Sequence, residues 1–137
     1  MEEYTLLMIK PNAVKEHLIG EIISRIEKNG FVIEDIVMKH MTREEAERFY
    51  QIHREKYFFN ELVDYITSGK VIALLLKGEN AQIRLRQLIG STDPKQAGEG
   101  TMRKDFGTDI THNAVHASNP DEDPEREINF FFRRESG

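Results

Sequence analysis

One histidine in this chain stands in a setting that suits chemistry. His116 is preceded by Asn113-Ala114-Val115 and followed by Ala117-Ser118-Asn119-Pro120, small residues that leave room for a substrate. An imidazole nitrogen can act as a covalent nucleophile, and a phosphoryl group is a suitable load for it. Thr92, Thr101, Arg103, Asn113 and Ser118 lie in the same part of the chain, with Arg86 a little upstream and Lys10 near the start. Three cations with neighbouring hydroxyls are the components of a polyphosphate cradle: arginine offers a planar fork to phosphate oxygens and lysine a point charge. Taken singly, each residue also has an ordinary reading. His116 is then a loop histidine, Arg86 a solvated helix face, and Arg103 a loop salt bridge to Glu99 or Asp105. His17, His40, His53 and His112 have no evident supporting set and read as surface or packing residues.

Several alternatives are excluded by what is missing. There are no cysteines, so thiolate metal sites, disulfides and a cysteine nucleophile are ruled out. Gly69-Lys70 is followed by Val71, not the Ser or Thr of a phosphate loop, and Gly98-Glu99-Gly100 has Arg103 where a dinucleotide fingerprint needs its third glycine. No HExxH or GxSxG segment occurs. The formal charge of -5, from 24 acidic and 19 basic residues, argues against a general nucleic-acid binder. The longest apolar run, Val71 to Leu76, is far short of the ~18 residues of a membrane span. The acidic opening Met1-Glu2-Glu3-Tyr4 has no signal-peptide character, so the expected location is cytoplasmic.

The elements that must position these residues follow from apolar spacing. A length of 137 residues with 39% hydrophobic and 31% charged content fits one globular domain, residues 1–137. Tyr4 to Ile9 reads as a buried strand, stopped by Lys10-Pro11-Asn12. Ile19, Ile22, Ile23 and Ile26 form one helical face, closed by Asn29-Gly30. Phe31 to Met41 reads as a second strand, and Glu34-Asp35 predicts an edge position or a bulge. Thr42 with Glu45 is a capping box ahead of a helix carrying Ala46, Phe49, Tyr50 and His53. Phe59, Leu62, Val63 and Ile66 mark the next helix, Val71 to Leu76 a third strand, and Ala81, Leu85, Leu88 and Ile89 another helix ending at Gly90. Residues 90–126 show little periodicity, with Met102, Phe106, Ile110 and Val115 as anchors. Such a long stretch is characteristically functional or disordered. Ile128 to Phe132 reads as the last strand. The order predicts an α/β fold, an α+β sandwich of the ferredoxin-like kind: a four-stranded antiparallel sheet with helices on one face and a helical-pair insertion.

From Thr5 to Phe132 the sequence resembles the nucleoside diphosphate kinase family. The resemblance rests on Ile9-Lys10-Pro11-Asn12, Phe58-Phe59, Gly90-Ser91-Thr92-Asp93-Pro94, Gly100-Thr101-Met102-Arg103 and Asn113-Ala114-Val115-His116-Ala117-Ser118, in that order and at matching spacings. It implies transfer of the γ-phosphoryl of a nucleoside triphosphate to a nucleoside diphosphate by a ping-pong route. His116 would carry the phosphoryl on Nδ1, and Glu127 would hold the other ring nitrogen. Lys10, Arg86, Thr92 and Arg103 match phosphate-binding positions, and Lys10 and Asn113 also match residues that hold ribose hydroxyls. Tyr50 matches a tyrosine beside the histidine, and Phe58 the aromatic that stacks on the base. Mg²⁺ is expected with the nucleotide phosphates, with no protein metal ligand identified, and Asp121, Glu122 and Asp123 read as a solvated loop. A homo-oligomer built from dimers, tetramer or hexamer, is implied as well. Two departures from the family pattern stand out: Asn119-Pro120 where an aspartate is common, and Lys56-Tyr57 where a basic residue and proline commonly precede the Phe pair.

Overall fold

The computed structural model describes residues 2–108, 112–118 and 124–132. Four strands, β1 (Glu2–Ile9), β2 (Val32–Lys39), β3 (Val71–Glu79) and β4 (Val115–Ala117), form one sheet in the order β2-β3-β1-β4. All three strand pairs are antiparallel. This is the strand order of the expected ferredoxin-like arrangement. β2 lies at an edge, and its register with β3 shifts between Ile33 and Asp35. Both features expected of Glu34-Asp35 are therefore present.

Seven α-helices connect and cover the sheet among the described residues: α1 (Pro11–Lys15), α2 (Ile19–Lys28), α3 (Arg43–Phe49), α4 (Phe59–Ile66), α5 (Ala81–Ile89), α6 (Met102–Phe106) and α7 (Pro124–Phe132). The helix expected to carry both Phe49 and His53 ends at Phe49, and His53 lies in a separate 3-10 turn, Gln51–His53. Pro11 does more than stop β1, because it is the first residue of α1, where its missing N–H costs nothing. The capping box at Thr42 and Glu45 is formed in both directions.

Two expectations are corrected. Helices cover both faces of the sheet, not one. In β1, Leu7 and Ile9 pack with Ile22, Ile26, Leu85 and Ile89 of α2 and α5. The alternate residues Leu6 and Met8 pack with Phe49, Val63, Ile66 and Ile128 of α3, α4 and α7. The helical-pair insertion thus supplies a second layer, and a strand with apolar residues at every position needs both. The fourth strand is also not Ile128 to Phe132. That segment is the C-terminal half of α7, and β4 lies inside the stretch read as irregular. A short apolar run does not by itself separate a strand from a buried helix turn. The decisive signals were Pro124 at the helix start and Glu125 and Glu127 in its first turn, which favour a helix N-terminus.

Candidate active site

The site gathers around β4. This strand pairs with β1 so that His116 lies opposite Met8. Val115 and Ala117 point into the core formed with α2 and α5. Strand alternation therefore sends His116 to the other face, where its ring meets Phe49 edge-on at 5.6 Å and Tyr50 at 6.4 Å between centroids. Just before the strand, Ala114 has φ +76, and Val115 N donates to Asn113 O at 2.9 Å. This is a three-residue turn with a positive-φ centre, a strained form costing a non-glycine residue about 1–3 kcal/mol. The turn lets Asn113 face the loop while His116 faces the opposite side of the sheet.

His116 Nε2 lies 3.0 Å from Glu127 Oε1, and Ser118 Oγ donates to the same oxygen at 2.9 Å. Burial acts to raise the Glu127 pKa, but His116, Ser118 and Arg126 outweigh it and hold the carboxyl below its ordinary value. An ionised carboxylate only accepts hydrogen bonds, so Nε2 carries the proton that points at Glu127. In the neutral ring this leaves the lone pair on Nδ1. Tyr50 is buried, and its hydroxyl has no hydrogen-bond partner among the described residues. Burial drives the pKa of that hydroxyl far up, so it is an un-ionised donor beside the histidine.

The cations sit on the open edge of β4. Backbone bonds from Lys10 N to Ala114 O and from Ser118 N to Leu6 O turn residues 114 and 118 toward β1. The carbonyls of Val115 and Ala117 therefore face outward, where a further strand would pair. Arginines occupy that edge instead. Arg103 donates to Val115 O from Nε at 3.3 Å and from Nη2 at 3.0 Å, and to Gly90 O from Nη1 at 3.1 Å. Arg86 donates to Ala117 O at 3.3 Å. The salt-bridge reading of Arg103 fails, because Asp105 pairs with Arg25. Among the described residues neither Arg86 nor Arg103 is paired with a carboxylate. Arg103 is 4% exposed, and burial, aided by the nearby charge of Arg86, lowers its pKa to about 10. It stays charged near neutrality, and three bonds leave two of its five N–H groups for an anion.

Lys10, also 4% exposed, donates to Asn113 Oδ1 at 2.8 Å, and Asn113 Nδ2 donates to Thr92 O at 2.9 Å. Lys10, Asn113 and the Thr92 backbone are thus one connected unit, while the Thr92 side chain is exposed. Gly90 and Gly107 let this loop close. A methyl on Gly90, at φ +88, would lie 2.6 Å from Thr101 Oγ1, and one on Gly107 would lie 2.7 Å from both Arg103 O and Pro94 Cγ.

Phe58 stands apart. It precedes α4, is half-buried, and has its ring near His53 at 5.6 Å and Tyr57 at 5.4 Å. Its neighbour Phe59 belongs to the core instead. The sequence does not announce Phe49 as a site residue, and it offers Ser118 for the cradle, whereas the structure sets it on Glu127. The first was read as one more apolar residue on a helix stripe. The second was visible within the segment around His116, but nothing in its spacing announced Glu127 as its partner. Asn119, Pro120 and the run Asp121 to Asp123 lie outside the described residues.

Comparison with known proteins agrees along the whole chain. The family model for nucleoside diphosphate kinase matches residues 3–136. A nucleoside diphosphate kinase of Lawsonia intracellularis is 52% identical over 130 residues, spanning 95% of this chain and 94% of its own. Among solved structures, the Halobacterium salinarum nucleoside diphosphate kinase in complex with CDP superimposes with a TM-score of 0.94 at 39% identity, over 98% of this chain and 90% of that one. The Aquifex aeolicus nucleoside diphosphate kinase does so with 0.92 at 41% identity, over 95% and 94%.

Proposed function

The chain belongs to the nucleoside diphosphate kinase family and is a phosphotransferase acting on nucleotides, and on that premise we propose which of its residues do the work. His116 Nδ1 attacks the γ-phosphorus of a bound nucleoside triphosphate. The bond from that phosphorus to the bridging oxygen breaks, a P–N bond forms, and the nucleoside diphosphate leaves. A second diphosphate then takes the phosphoryl group by the reverse steps. The observation that carries this reading is the contact between Nε2 and the carboxylate of Glu127, which selects the tautomer with a free lone pair on Nδ1 and stabilises the positive ring that forms on attack.

Phosphoryl transfer needs positioning and charge neutralisation more than covalent assistance. Arg86 and Arg103, without carboxylate partners among the described residues, support a role in neutralising the phosphates, with Lys10, Thr92 and the un-ionised Tyr50 hydroxyl beside them. Lys10 and Asn113 would hold the ribose and Phe58 would stack on the base. The family works with a divalent cation. The cations on β4's edge fit a polyphosphate, which can itself carry the ion. We therefore assign Mg²⁺ to the nucleotide phosphates, where it would neutralise part of their charge.

A homo-oligomer built from dimers is supported by the open edge strand β2, on which Val32, Ile36 and Met38 are each about half exposed. Sedimentation separates tetramer from hexamer. No helix among the described residues is long and apolar enough to cross a membrane. We place the enzyme in the cytoplasm, where its nucleotide substrates are made and used.

The test is a chase experiment. Incubation with γ-labelled ATP and Mg²⁺ should leave an acid-labile, base-stable label on the protein, and added CDP should remove it as labelled CTP. His116→Ala should take up no label. Label retained by that variant, or none on the wild type, overturns the mechanism.

A further inference from the structure

We infer that Arg25, outside the cradle, is a positioning residue for Arg103 and so sets the affinity for the nucleotide's phosphates. This rests on the reading of Arg103 as a phosphate ligand. Arg103 is the second residue of α6, a helix of five residues, too short to be stable by itself. The direction of its guanidinium depends on where α6 is held. Met102 anchors one side in the core, and Arg25 fastens the other. Its Nη1 lies 2.6 Å from Asp105 Oδ2 and donates to Gly100 O at 3.3 Å, while its guanidinium carbon sits 4.6 Å from the centre of the Phe106 ring. These partners bracket Arg103 in sequence, one before it and two after.

The staple has a rigid base. Ile22 and Ile26, one turn before and one residue after Arg25 on α2, are fully buried, and Glu21 approaches Arg25 Nε at 3.9 Å. An isolated exposed ion pair is worth little. Here an ion pair, a hydrogen bond to a carbonyl and a cation–π contact converge on one planar group, a combination for which Arg is suited and Lys is not.

Four variants test this: Arg25→Met, Arg25→Lys, Arg103→Met and the double variant Arg25→Met/Arg103→Met. Arg25→Met should raise KM for the nucleoside diphosphate about fivefold and leave kcat within about twofold. Arg25→Lys, which keeps the ion pair alone, should fall between Arg25→Met and wild type. Because Arg25 acts through Arg103, the double variant should be no worse than Arg103→Met. A double variant that multiplies the two defects, or an unchanged KM in Arg25→Met beside a raised one in Arg103→Met, overturns the inference. An unchanged KM in Arg103→Met overturns the phosphate reading beneath it as well. If Arg25→Met does not fold, Asp105→Asn breaks the same ion pair from the other side and must raise KM in the same way.

Discussion

The two ends of the proposed nucleotide site are built differently. At the phosphate end, Lys10 and Arg103 are almost fully buried, as is Asn113 of the adjoining ribose contacts, and each is tied to a backbone carbonyl or to another site residue. At the base end, Phe58 is half-buried, lies outside the core clusters, and has beside it Tyr57, which is 98% exposed. The first end is fixed before any ligand arrives, so little order has to be imposed on binding. The second offers an aromatic face, which every base can stack on. The contrast predicts an enzyme that is strict about the polyphosphate and tolerant of the base.

If the phosphate end owes its strength to fixed geometry, the largest loss should come from the group that fixes the nucleophile. Glu127→Gln keeps the size but lets the amide present an N–H to the ring, so the tautomer with its lone pair on Nδ1 is no longer selected. Phosphoryl transfer should fall by roughly 10²-fold with KM little changed, as measured by single-turnover loss of label from ATP. A loss confined to KM would break the comparison, because Glu127 would then serve binding instead of chemistry. The same substitution has a stability signature. The folded carboxyl titrates below its ordinary value of 4.5, so between the two values the unfolded chain binds more protons. Unfolding free energy therefore rises with pH across that window: the contribution is complete above pH 4.5 and is lost as pH falls through the folded value. Denaturant melts of Glu127→Gln should show a shallower acid limb than wild type below that pH.

Removing the buried charge comes next in size. Lys10→Met leaves Asn113 Oδ1 without its Lys10 donor and takes a cation from the cradle. A hydrogen bond to a charged group is worth about 1.5–3 kcal/mol, so kcat/KM should drop by about 10- to 100-fold for every nucleoside diphosphate alike. A drop that depended on the base would show that the two ends are not independent.

How far this was legible in the sequence follows the same division. The apolar spacing of β1, α2, α4, β3 and α5 is long and regular, and those elements lie where it put them. Around the histidine the backbone is irregular: a three-residue strand, a one-turn helix and a positive-φ Ala114 leave no period to read. There the residue types survive as signals while their arrangement does not. Lys10, Arg86 and Arg103 could be named as a cradle from chemistry, and the family resemblance joined them to Glu127. That the arginines cap the outward carbonyls of β4 depends on a strand pairing across more than a hundred residues, and Arg103's freedom from Asp105 depends on Arg25 in α2, more than seventy residues earlier in the chain. Ile128 to Phe132 failed for the opposite reason: a clear apolar signal that fits either a strand or a helix turn.

The smallest effects belong to the base end, and they decide whether it is as permissive as its geometry suggests. Phe58→Ala removes the stacking face but no charge and no backbone bond. It should cost about 1 kcal/mol, a fivefold rise in KM, for a base-bearing diphosphate, and nothing for ribose 5-diphosphate. Tyr57 meets Phe58 edge-on, at 84° between ring planes, with nearly its whole side in water. An edge contact made by so exposed a ring holds Phe58 weakly, because water takes its place at little cost. Tyr57→Ala should therefore shift KM by less than about twofold for purine and pyrimidine diphosphates alike. A larger shift for one class would make Tyr57 a selecting residue, and the base end would then be reading what the fixed phosphate end ignores.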